Sequence, residues 1–123
     1  MYKLLALVSR RADMSPEKFR DYYERVHVPL VLEHIRDTAV SYSRNYVATA
    51  MTSADGKPGD TGPAVDCIME IKLTDKAGLD GLLARIGVAD VARKFAQDGE
   101  NIIDRTASRI FICEHHEYQL ASG

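Results

Sequence analysis

Hydrophobic and polar positions along the chain fall into six stretches of distinct period, and each predicts an element. Residues Tyr2 to Val8 (YKLLALV) are apolar at both alternating sets of positions apart from Lys3, the pattern of a strand covered on two sides. From Ser15 the spacing lengthens. Phe19, Tyr22, Tyr23, Val26 and Leu30 recur at helical intervals and predict one buried face, while Arg20, Asp21, Glu24 and Arg25 fall elsewhere around the axis. Ser15 can cap the first free amides and Pro16 suits the first helical position, so the helix starts there. Pro29 has no N–H for the preceding turn and disfavours helical geometry at Val28. A break or kink is therefore expected around His27, with a second helical piece over Val31 to Ile35.

Alternation returns over Val40 to Thr49, where Tyr42, Arg44 and Tyr46 face one way and Ser41, Ser43 and Asn45 the other. Ser53 to Pro63 (SADGKPGDTGP) collects glycine and proline without period and reads as a long hairpin connection. Val65 to Leu73 alternates cleanly as a third strand. Thr74 and Asp75 start a helix that Leu79, Leu82, Leu83 and Ile86 carry to Gly87, and Val88, Val91, Ala92 and Phe95 continue it as a second piece ending near Gly99. Ile102 and Ile103 lead into a last strand, Ser108 to Tyr118.

The order strand, helix, strand, strand, helix, strand is that of a ferredoxin-like βαββαβ fold. It is an α+β protein with a four-stranded antiparallel sheet, in one domain spanning residues 1–123. Two helical layers cover one sheet face only. The first and last strands carry Leu, Ile and Phe on both sides, so the uncovered face predicts a homodimer whose sheets pack face to face.

Composition narrows the function classes. A net charge of -2 offers no general attraction to nucleic acid or an anionic membrane. No apolar run approaches a membrane span, and the short run Leu4 to Val8, followed by two arginines, is no secretion signal, so a cytoplasmic setting is expected. Single-stranded RNA readers of this fold need aromatic and basic residues on the open sheet face, where this chain has Ile, Leu and carboxylates. Cys67 and Cys113 lie far apart in apolar runs and read as two buried thiols. Cys113, His115 and Glu117 share one strand face, but no second ligand pair accompanies them, so no metal is expected. Asp66 and Glu70 share a face of the third strand and could form a carboxylate pair for glycoside or proton-transfer chemistry; ion pairing, with Arg44 as the simpler partner, or solvation inside the dimer interface is the favoured reading. Glycine-rich phosphate loops, GxSxG and HExxH are missing from the sequence.

His27 is the candidate that remains. It borders the apolar stripe with two tyrosines one turn back, and two readings stay open. One is a helix-terminal histidine satisfying a carbonyl; the other is an acid/base or hydrogen-bonding group at the mouth of a cavity roofed by Tyr22 and Tyr23.

The pattern F19-x-x-Y22-Y23 followed by H27-x-P29-L30, with Tyr42 and Asn45 in the next strand, I103-D104, and a final strand ending E114-H115-H116-E117-Y118, resembles the EthD family of the dimeric α+β barrel superfamily. Tyr23 stands where such sequences usually carry tryptophan. The resemblance implies ferredoxin-like protomers that dimerise through their sheets into an α+β barrel, with a cavity between helices and sheet for a small hydrophobic or aromatic ligand. It implies His27 and Asp104 as the polar pair, His27 as acid/base, and Phe19, Tyr22, Tyr23, Tyr42 and Asn45 as substrate-binding residues. The expected activity is that of a cofactor-independent lyase, isomerase or oxygenase acting on an aromatic, lactone or polyketide-like compound in catabolism. The alternative is a non-catalytic accessory or ligand-binding protein serving a neighbouring oxidising system. Haem binding is a third possibility that the superfamily offers; no cofactor is the expectation.

Overall fold

The computed structural model describes residues 1–59 and 64–121. Strand β1 (Tyr2–Val8) is central, because it is the most apolar on both faces. It pairs antiparallel with β3 (Cys67–Leu73) on one side and β4 (Arg109–Glu114) on the other. Strand β2 (Ser41–Tyr46) forms the far edge against β3, giving the order β2-β3-β1-β4 of the ferredoxin-like fold. β2 and β3 pair antiparallel as the expected hairpin requires, and residues 60–63 of the expected connection Ser53 to Pro63 lie outside the described residues.

Register divides the strands into two faces. Leu4, Ala6 and Val8 stand beside Met69, Ile71 and Cys67 on the helix side, all buried. Leu5 and Leu7 share the open face with Glu70, Ile68 and Phe111. That face mixes apolar side chains with the Lys3–Glu70 ion pair at 2.7 Å. On the helix side of β4, Ile110 and Ile112 are 70% and 54% exposed, because no helix reaches that edge.

The first helical run is continuous. α1 (Pro16–Tyr22) begins at Ser15, whose hydroxyl accepts from the Lys18 amide at 3.2 Å. α2 (Val28–Ile35) carries Pro29 in its first turn. Between them Tyr23–His27 forms one π-helical turn, in which the Val28 amide donates to the Tyr23 carbonyl. Of the break or kink expected around His27, the break does not occur and the irregularity takes the form of this π turn. Pro29 supplies no N–H and its ring crowds the carbonyl one turn back, and the wider turn accommodates both without ending the helix. The extra residue changes the phase of the buried stripe. Phe19 and Tyr23 are buried as expected, but Val26 turns outward at 42% exposure, and Val28, Val31 and Ile35 take over the core positions.

The second layer is α3 (Lys76–Ile86), capped by the Asp75 carboxylate on the Gly78 amide, and α4 (Ala89–Ile102). α4 runs through Gly99 instead of stopping there. A Cβ on Gly99 would lie 3.3 Å from Ile103 Cδ1, so the bare backbone is what lets Ile103 pack against the helix. β2 and β4 are each shorter than their alternating patterns.

Several expected pairings are corrected by side-chain direction. Arg44 alternates onto the helix face and takes Glu24 in a bidentate contact at 2.6 and 2.9 Å, while Asp66 bonds the Arg10 amide and Glu70 pairs with Lys3. Both thiols are free. Cys67 is fully buried and its thiol is pushed up to about 11 by burial, but Cys113 is only half-buried. Among the described residues, no helix is long and apolar enough to cross a membrane, and no group of His, Cys, Asp and Glu is arranged to hold a metal.

Candidate functional site

The helices do not pack flush on the sheet. A cavity of about 420 Å³ separates them, floored by Leu4, Ala6, Met69 and Ile71 and walled by Tyr23, His27, Val31 and Phe95. Close-packed interiors rarely leave such space, and volumes of this order are those of small-molecule sites. The lining is largely apolar; His27 is the titratable side chain that borders it on the helical side, beside the Tyr23 ring, and Arg105 and Ser108 stand at the β4 side. Arg109 also borders it, although its pairing with Leu7 sends that side chain to the opposite sheet face.

The π turn is what delivers His27. In an uninterrupted α-helix the apolar stripe would pass through Val26, whereas the inserted residue rotates the imidazole into that place. The ring then lies against Tyr23, with centroids 4.4 Å apart, and edge-on to Phe95 at 6.4 Å. Its Nδ1 is 2.5 Å from Asp98 Oδ2, and the two side chains are 16% and 7% exposed. Asp98 belongs to α4, where the spacing Val91, Phe95, Asp98, Ile102 places a carboxylate on the buried helical stripe. The second oxygen, Oδ1, accepts from the Tyr22 hydroxyl at 3.0 Å. An imidazole held through Nδ1 by a buried carboxylate keeps Nε2 for other work, the arrangement general bases use to fix ring orientation and tautomer.

The carboxylate beside His27 is thus Asp98 and not Asp104. Asp104 lies in the turn after α4, where its Oδ1 accepts from the Thr106 hydroxyl at 2.8 Å and from the Thr106 and Ala107 amides. These bonds hold its carboxyl below the usual range. Of the expected lining residues, Tyr23 borders the cavity. Phe19 is buried behind it at 5.5 Å, and Tyr22 sits outside on Asp98. Tyr42 lies under the Arg44 guanidinium, its buried hydroxyl turned towards that of Tyr23 and away from the cavity lining. Asn45 is on the open sheet face, donating to Glu70 and to the Ile68 carbonyl. Burial holds the Tyr23 and Tyr42 hydroxyls well above the ordinary phenol value, so both are neutral. Sequence reasoning missed Asp98, and its signal was a lone acid at a core position of an otherwise regular stripe.

Against known proteins, the model of the EthD domain matches residues 11–106. No curated protein matches the chain. Among solved structures, an EthD family protein from Bacillus halodurans is 15% identical with a TM-score of 0.64, over 94% of this chain and 99% of that one. HapK from Hahella chejuensis is 14% identical with a TM-score of 0.62 over the whole of both chains. A dimeric ferredoxin-like protein from an uncultured marine organism is 16% identical with a TM-score of 0.55, over 91% of this chain and 90% of that one.

Proposed function

The chain belongs to the EthD family, and from that premise we propose that it binds a small hydrophobic or aromatic compound in the cavity and moves a proton on it. His27 is the acid/base and Asp98 orients its ring. The observation that carries this reading is the buried contact at 2.5 Å between Asp98 and a histidine that borders an apolar cavity. A neutral imidazole carries one N–H and one lone-pair nitrogen, so the same ring can both take and return a proton. Proton removal from carbon beside a carbonyl is a step that isomerisation, elimination and cofactor-free oxygenation can share. The reading therefore names a step and covers the lyase, isomerase and oxygenase expectations together.

The protein acts as a homodimer in this proposal. Leu5, Leu7, Ile68 and Phe111 give the open face an apolar centre with ion pairs around it, the composition of an interface. One structural neighbour is itself described as dimeric.

The test is a panel of bicyclic aromatic ketones and lactones, with binding read as a thermal shift and conversion read by mass spectrometry. The expected result is conversion of at least one bound compound, reduced by about 10²–10⁴-fold in His27→Ala with binding kept. Equal conversion in wild type and His27→Ala would remove the role given to His27. Binding without any conversion across the panel favours the ligand-carrier alternative.

A further inference from the structure

Four side chains from two helical segments form a line of hydrogen bonds that ends at the cavity. Asn101 Nδ2 is 3.0 Å from Tyr22 Oη, Tyr22 Oη is 3.0 Å from Asp98 Oδ1, and Asp98 Oδ2 is 2.5 Å from His27 Nδ1. The first donor sets the direction of the whole line. An amide nitrogen only donates, so Tyr22 Oη accepts from Asn101 and turns its own hydrogen to Asp98. Asp98 then accepts on Oδ1, and its other oxygen faces Nδ1. An ionised carboxylate would accept on both oxygens, and the imidazole nitrogen opposite it would then carry the hydrogen. One lone pair is left on the ring, at Nε2.

We propose that Tyr22 and Asn101 are positioning residues for His27: acting through Asp98, they hold the carboxylate ionised, keep Nδ1 protonated and restrain the basicity of Nε2. This rests on the acid/base reading of His27, yet it concerns a coupling that exists with no ligand bound.

Local geometry explains why these residues meet. Tyr22 and His27 are five residues apart across the π turn, whose i→i+5 repeat lets both reach one carboxylate. Asp98 and Asn101 are three apart on α4 and so share a face towards α1. Burial holds the Tyr22 hydroxyl above its ordinary value, with the Asn101 amide opposing and Asp98 reinforcing, so it remains a donor across the working pH range. Among the described residues, the titratable and charged groups around the imidazole are Asp98 from α4, Tyr22 and Tyr23 from its own helical run, His34 packed on the same Phe95 ring, and Arg105 at the cavity rim. β1 and β3 present only apolar side chains to the cavity.

The experiment is a pH titration of the ¹⁵N-histidine-labelled full-length protein by long-range ¹H–¹⁵N spectroscopy, which reports both tautomer and midpoint. In the wild type, neutral His27 should carry its proton on Nδ1. Tyr22→Phe removes a donor from Asp98, concentrates the carboxylate charge and should raise the His27 midpoint by about half a unit or more. Asn101→Ala, at an exposed position, should move it the same way by a smaller amount. Midpoints unchanged in both variants, or a wild-type ring protonated on Nε2, would overturn the proposal. If Tyr22→Phe does not fold, the Asn101→Ala titration decides alone. A His27 coupled to Tyr22 in a protein that converts no compound would leave this inference standing and remove only the acid/base reading.

Discussion

Asp98 meets His27 at 2.5 Å from 71 residues away in sequence, joining the π turn to the last helix beneath a layer of aromatic rings. That contact is expensive to break. Asp98→Ala leaves the imidazole Nδ1 and the Tyr22 hydroxyl without their buried acceptor, and the expected loss of stability at pH 7 is about 2–4 kcal/mol. Urea unfolding of the two proteins at equal concentration checks it; a loss under about 0.5 kcal/mol would mean that the pair is not held in solution.

The cavity is held open by small residues as much as by large ones. Ala96 lines it from α4, one residue beyond Phe95. Ala96→Leu puts three more carbons into that space, and should abolish ligand binding while leaving the melting temperature unchanged or higher. Calorimetry and a binding assay together read both effects. Undiminished binding would place the ligand elsewhere.

At the outer end of the π turn, Glu24 accepts two bonds from Arg44 and one from the Tyr46 hydroxyl, and the Arg44 contact holds its carboxyl below the usual glutamate value. A depressed folded value means that stability from this group is full above the unfolded glutamate range and is lost as pH falls through the folded value. Glu24→Gln should therefore destabilise by about 1 kcal/mol at pH 7, a figure discounted for solvent screening of a partly exposed pair. The gap between the two proteins should close in acid. A pH series of thermal melts measures it, and a gap that widens on acidification would contradict the assignment.

The open sheet face gives a prediction about assembly. Phe111 is 45% exposed in the protomer and is the register partner of Leu5 in β1. Phe111→Asp places a charge in the proposed interface and should convert the dimer to monomer at micromolar concentration, as read by light scattering after size-exclusion chromatography. A wild type that is already monomeric would remove the homodimer from the account.

Much of the fold was legible because burial on one side imposes a period. β1 matches its predicted limits, and Ser15 caps the helix that it was expected to start. The failures have one physical origin in tertiary context. Nothing in local spacing distinguishes a proline that breaks a helix from one absorbed by a wider turn. The phase slip that exposes Val26 and turns His27 inward was therefore invisible. His27 was identifiable by its place in the motif; its partner was not, because Asp104 follows α4 in the chain while Asp98 points inward from its buried stripe. Asn45 and Tyr22 are polar residues near the right elements, but strand alternation sends the first to the open face and the Asp98 contact draws the second away from the cavity.

The most direct measurement is carbon-bound hydrogen exchange in deuterium oxide, followed by NMR, for apolar cyclic ketones that bind the protein. The account predicts deuterium uptake beside the carbonyl that is faster with wild type than with buffer, and that falls to the buffer rate with His27→Ala although the ketone still binds. Equal uptake with both proteins, for compounds shown to occupy the cavity, would contradict it.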